Sequence, residues 1–306
     1  MAHEGHEGEA TSDSAVYYVP AQSKWPIIAS VGLFTTLLGA GMMMNDMSAG
    51  VKDSIAHYVM FGGALIMAYM LFGWFGHVIE ESQKGLYSAQ MDRSFRWGMG
   101  WFIFSEVMFF AAFFGTLFYV RSLSVPWLAG EGDGAMTHKF LWPDFVAEWP
   151  LVNNPDNQNF PGAKGLIDPF HLPLLNTVLL VISSITLTIA HHALRKNERN
   201  KVKVWMVATL ILGFAFLFFQ AEEYAEAYND LGLTLSAGIY GSTFFILTGF
   251  HGAHVTLGAI MLLIMTIRIY KGHFEADNHF GFEAASWYWH FVDVVWIGLF
   301  IFVYLI

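Results

Sequence analysis

Cysteine is missing altogether from this chain of 306 residues. That excludes a disulfide framework, a thiolate zinc site, an iron–sulfur cluster, a C-x-x-C-H haem attachment and a thiolate-bridged copper centre. Charge is also scarce, at 13%, where a soluble domain carries about 25%. What charge there is leans acidic: 15 Lys and Arg against 25 Asp and Glu leave a formal net charge of −10. A nucleic-acid partner does not fit that balance. Strand-like alternation is missing, as are internal repeats and the inverted symmetry of transporters. What fills the chain instead is apolar, 55% hydrophobic and 17% aromatic. Length alone suggests about two soluble domains, but this composition points to the membrane.

A helical span needs about 20 mostly apolar residues. Seven stretches qualify, at 26–44, 55–78, 97–120, 172–194, 203–222, 240–267 and 284–306. Helices satisfy their own backbone hydrogen bonds in lipid, so the expected fold is an all-α polytopic membrane protein with seven transmembrane helices. The first 24 residues, MAHEGHEGEATSDSAVYYVPAQSK, are polar and acidic. They lack the basic start and apolar core of a signal peptide, so no cleavage is expected. His3 and His6 there read as flexible tail rather than as a metal site. Cations set the orientation. Eleven of the 15 fall on one side: Lys24, the 79–96 loop, the 195–203 loop and the 268–282 loop. Lys52, Arg121, Lys139 and Lys164 fall on the other. The expectation is a cytoplasmic N-terminus and, after an odd number of spans, a periplasmic C-terminus. The segment 121–171 is rich in Pro, Gly, Asn and Trp and has no apolar periodicity, so it reads as an irregular extracytoplasmic cap.

Ionisable groups inside apolar spans ask for a functional reading by default. Glu106, in WFIFSEVMFFAAFFG, lies mid-span with no cation within a helical turn. It reads equally as a proton-handling carboxyl and as a protonated acid bonded to a neighbouring helix. His251 and His254, in TGFHGAHVTLG, stand three apart on one face. They could bind a metal or haem, but read first as inter-helix hydrogen-bonding groups. His290 and Asp293 share a face of the last span and read as a pair that fixes helix rotation or meets a partner helix. The pair His191–His192 reads as a helix C-terminal cap meeting headgroups. Glu222, Glu223 and Glu226, where the fifth span leaves the membrane, read as a solvated acidic rim. Ala111 and Gly115 form a small-xxx-small pair suited to close helix packing.

Taken together, the motifs bring a resemblance into view. The segment HFGFEAASWYWHFVDVVWIGLF (279–300) is similar to the last helix of subunit III of haem–copper cytochrome c oxidase. SEVMFFAAFF (105–114), LPLLNT (172–177), AHHAL (190–194), QAEEYAEA (220–227), GIYGSTFF (238–245) and TGFHGAHVTLG (248–258) follow in the family's order. The resemblance runs from about residue 25 to the end. It implies seven helices arranged as two plus five, with a V-shaped, lipid-filled cleft. The expected division is a tail at 1–24, a two-helix unit at 25–80 and a five-helix bundle at 81–306 that includes the loop 121–171.

The resemblance also implies a role. The chain would be a non-catalytic subunit of a terminal oxidase that passes electrons from cytochrome c to oxygen and pumps protons. It would carry no haem, copper or other metal itself, those cofactors residing in partner subunits. It would bind structural phospholipid, pack directly on subunit I with subunit II and small subunits nearby, and support proton uptake and stability of subunit I. Glu106 matches the family's intramembrane carboxyl. Arg96, Arg268, Lys271 and His273 fall at positions resembling those that hold anionic headgroups, basic groups able to pair with phosphate, and Trp74 would line the same cleft. Two departures stand out: Glu80 sits near a mitochondrial Arg, and Leu86 and Tyr87 near a mitochondrial His pair. The long 121–171 loop suggests a bacterial protein of the aa3 type in the inner membrane. The alternatives are the same subunit in a quinol oxidase, or an autonomous membrane metal enzyme or transporter using Glu106, His251, His254 and His290.

Overall fold

A computed structural model describes residues 22–51 and 53–306. The expectations for His3, His6 and Lys52 lie outside the described residues. Seven helices are long and apolar enough to cross a membrane. They begin with α1 (Trp25–Ser48), α2 (Ala56–Gln83) and α3 (Ala89–Tyr119). Two short helices follow, α4 (Val125–Leu128) and α5 (Ala135–Leu141). The remaining spans are α6 (Leu172–Arg195), α7 (Arg199–Asn229), α8 (Ile239–Tyr270) and α9 (Phe280–Leu299). Each lies over one of the seven apolar stretches and runs past at least one of its ends. Polar helix formers such as Glu80, Glu81 and Gln83 continue the hydrogen-bond ladder beyond the hydrocarbon. The links shrink accordingly: only 84–88 separates α2 from α3, and 196–198 separates α6 from α7.

The segment after residue 120 corrects an expectation. It is not irregular from its start: a π-helical turn, Val120–Ser124, joins α3 to α4, so one helical run reaches Leu128. Pro126 stands in the first turn of α4. A proline there would press on the preceding turn of a regular α-helix, and the wider π turn gives it room. The apolar period is lost at that point, which is why periodicity misses the helix. A second π turn, Phe300–Leu305, extends α9.

The chain divides into two compact units, one ending at Phe95 and one running from Arg96 to Ile306. In the first, α1 and α2 form a hairpin whose crossing is made by glycine. A Cβ on Gly39 would strike the backbone of Met60, and one on Gly63 the backbone of Thr36. At the other end of the pair the Trp25 ring covers Gly73, meets Tyr69 edge-on at 5.7 Å and donates Nε1–H to His77 Nδ1 at 2.8 Å.

In the second unit α6 packs on α7, α7 on α8, α8 on α9, and α9 back on α6. The core runs down the middle of this ring. Trp289 and Trp296 are each no more than 1% exposed. The Trp289 ring lies in a notch between Gly213 of α7 and Gly258 of α8, where a Cβ would come within 2.8 and 2.9 Å of it. Both indoles are held polar-end first: Trp289 donates to Ser183 Oγ and Trp296 to Thr177 Oγ1, each at 2.9 Å. A buried indole N–H needs such a partner, and both come from α6. From residue 96 on, α3 joins this ring through long aromatic side chains. Phe110 meets His254 and Phe291, and Phe102 stacks on Tyr288. The expected Ala111–Gly115 contact is not made: both are exposed, and a Cβ on Gly115 meets nothing. Here the phenylalanines hold the neighbours at ring distance, and glycine does the close packing between α1 and α2.

Candidate functional site

Glu106 has its partner on another helix. His254 Nε2 lies 2.9 Å from Glu106 Oε2, across 148 residues of sequence. The two side chains are 22% and 13% exposed. His254 Nδ1 sits 2.6 Å from the Phe250 carbonyl oxygen. A carbonyl only accepts, so Nδ1 carries a hydrogen and the tautomer is fixed. Nε2 then faces the Glu106 carboxyl across the 2.9 Å contact. Phe109, Phe110 and Tyr288 rings surround the imidazole. Chemically this is a carboxyl–imidazole pair that can hold one proton in an apolar setting.

His251 parts company with His254. It is fully buried among Phe216 and Trp296, with Nε2 3.1 Å from the Val292 carbonyl oxygen. Its Nδ1 is unpartnered. His290 has a partner that the sequence did not flag. Ser184 Oγ lies 2.6 Å from His290 Nδ1, whereas Asp293 Oδ1 is buried without a hydrogen-bond partner. Thr188 Oγ1 stands 3.5 Å from His290 Nε2. The group ties α6 to α9.

One assignment is overturned. Glu223 is no part of a solvated rim: it is 0% exposed, while Glu222 is exposed. Tyr304 donates to its Oε1 at 2.5 Å and Gln220 Nε2 donates to the same atom at 3.2 Å. Gln220 in turn accepts a longer contact of 3.5 Å from the Asn176 amide. The spacing of three glutamates looks alike on paper. Only the inward rotation of α7 separates them.

At the opposite end of the unit lies a basic group. Arg268 is 8% exposed and stacks over the Phe274 ring at 4.3 Å. Its Nε has no hydrogen-bond partner, and Nη1 reaches only the Met265 sulfur at 4.0 Å. Lys271 is exposed. His273 Nδ1 is buried without a partner. Burial first, and then the cations Arg268 and Lys271, hold the His273 imidazole below its usual pKa. Arg199 belongs to the same end and was not foreseen: its guanidinium donates to the Phe274 carbonyl at 2.5 Å. Arg96 is engaged within the chain, in an ion pair with Glu283 at 2.7 Å and over the Phe280 ring at 5.1 Å. Trp74 belongs to the first unit. It is exposed on α2, with its ring 5.1 Å from that of Phe75.

These donor sets do not make a haem or copper site. Both ring nitrogens of His254 are taken, His251 faces a carbonyl, and His290 faces hydroxyls. Among the described residues, no group of three or more His, Cys, Asp or Glu is placed to hold a metal ion.

The family model described as Cytochrome c oxidase subunit III matches residues 15–136 and 138–306. The chain belongs to that family. It is 36% identical over 289 residues to Cytochrome c oxidase subunit 3 of Arabidopsis thaliana, covering 94% of this chain and 95% of the relative. To the protein of that name from Oncorhynchus mykiss it is 33% identical over 305 residues, covering 99% and 98%. To that from Drosophila melanogaster it is 36% identical over 300 residues, covering 96% and 98%. Family membership and seven apolar helices together make this a multi-pass membrane protein and part of an oxidase complex with other oxidase subunits. The resemblance read from the seven motifs is thereby borne out, and the autonomous enzyme or transporter is set aside.

Proposed function

We propose that this chain is a non-catalytic, lipid-holding subunit of cytochrome c oxidase, in a complex that passes electrons from cytochrome c to oxygen and pumps protons. The observation that carries the lipid reading is Arg268. A guanidinium 8% exposed, with its Nε unpartnered and no carboxylate from the described residues in an ion pair with it, is an incomplete arrangement. An anionic phosphate completes it, because a buried cation is costly unless paired. Lys271, His273 and Arg199 stand on neighbouring segments of the same end, and Phe274 orients the Arg268 plane. Arg96 and Trp74 are assigned to the lipid surface as well, Arg96 through its aliphatic stem since its head is paired to Glu283.

Haem and copper are assigned to partner subunits, in keeping with His251, His254 and His290, each of which is engaged in a hydrogen bond. Subunit I is the direct partner and subunit II a further one. The Glu106–His254 pair is assigned to proton uptake into subunit I, because it can hold one proton between two helices in an apolar setting. The ties between α6 and α9 supply a rigid support for that subunit. The membrane is taken to be the bacterial cytoplasmic membrane, with Arg268 and Lys271 on the cytoplasmic side, as the cation asymmetry favours.

Neutralising Arg268 and Lys271 together, as R268Q/K271Q, tests the reading. The purified oxidase is expected to lose anionic phospholipid, counted by mass spectrometry after extraction, and to keep its haem and copper. Unchanged lipid per complex would remove the headgroup assignment. Loss of haem or copper would remove the non-catalytic one.

A further inference from the structure

His191, read from the sequence as part of a helix cap, and His279 lie outside the polar groups of the candidate site. His191 is in the last turns of α6, and His279 immediately precedes α9. Their Nε2 atoms face each other at 3.3 Å. His279 Nδ1 stands 3.2 Å from the Glu275 carbonyl oxygen. That oxygen only accepts, so Nδ1 carries a hydrogen and the neutral ring offers its lone pair at Nε2, toward His191. The rings are set at 69°, and His191 is backed by the Phe282 ring at 5.5 Å.

At 3.3 Å the rings can share a long N–H···N hydrogen bond, just past the roughly 2.7–3.2 Å usual for N–H···O. The distance also matches another geometry. Two imidazole nitrogens on one tetrahedral zinc, each about 2.0–2.1 Å from the metal, stand about 3.3–3.4 Å apart. The carbonyl behind His279 is the outer partner that a metal-bound imidazole needs to fix its tautomer. Glu283 adds negative charge one turn on from His279, but its carboxylate is held by Arg96 at 2.7 Å. The protein thus offers two nitrogen ligands, consistent with no cluster of three or more among the described residues.

We infer that His191 and His279 form a two-histidine site for a divalent transition-metal ion such as Zn2+, with water completing the coordination. Two ligands make it an exchangeable site. The ion would clamp the end of α6 to the start of α9, the two helices that Ser184 and His290 tie together further along. The inference does not depend on the lipid reading.

The test uses the whole oxidase in detergent, stripped with a chelator and then equilibrated with Zn2+ alone. Zinc is counted by inductively coupled plasma mass spectrometry. The unaltered complex is expected to hold one equivalent more than either His191→Gln or His279→Gln. Equal zinc in all three overturns the site. A second measurement needs no variant. Zn2+ is expected to slow diethylpyrocarbonate modification of His191 and His279, and to leave His171, exposed at the other end of α6, unaffected. Modification of the pair at the same rate with and without zinc also overturns the site.

Discussion

In QAEEYAEA (220–227) three glutamates fall within two turns of α7, and only Glu223 turns inward, to receive Tyr304 and Gln220 on one oxygen. Both donors are buried, so removing the acceptor leaves an O–H and an N–H without partners. Glu223→Ala is expected to cost about 1–3 kcal/mol of stability. Glu223→Gln keeps an acceptor oxygen and should cost clearly less. Heating the purified complex and following loss of this chain separates the two, and equal loss from both variants would refute the assignment. Glu106 teaches the same lesson from the other direction. The sequence marks it as an acid in the wrong place, but its partner His254 is 148 residues away. No window on the sequence contains both. The signal for Ser184 was weaker still, since a serine inside an apolar helix usually bonds back to its own backbone.

At the level of elements, the hydrophobic runs located all seven spans, because a helix that must satisfy its own backbone in lipid announces itself by length and composition. Their contacts were less legible. The small-residue rule pointed to Ala111 and Gly115, which face open space, while the close crossing uses Gly39 and Gly63. The rule identifies where a backbone could approach, and only the partner helix decides where it does. Adjacent glycines give a direct check. Gly63→Ala drives a Cβ into the Thr36 backbone and should destabilise the α1–α2 hairpin by about 1–3 kcal/mol. Gly62→Ala meets nothing and should be neutral or stabilising by up to about 1 kcal/mol, since alanine is the better helix former. Thermal unfolding that ranks the two variants the other way would refute the crossing.

For the whole molecule, the missing cysteines become a tool. Single cysteines can be introduced against a blank background. Lys196→Cys and Gln158→Cys flank α6 at its two ends, both at exposed positions. In sealed vesicles a membrane-impermeant maleimide should reach one of them only, and after inversion of the vesicles only the other. With Lys196→Cys on the cytoplasmic side, the 11-to-4 distribution of cations has its expected meaning. Labelling of both from one side would contradict α6 as a span. By itself, the sequence determined the solvent this protein lives in, the number of its spans and its family, because each of these is written in runs of neighbouring residues. Tertiary structure alone decided which polar groups are partners: Glu106 with His254, Glu223 with Tyr304, and His191 with His279. The physical reason is that burying a polar group in lipid or protein is affordable only against a matching group, and in this bundle the matching groups come from helices far apart in the chain.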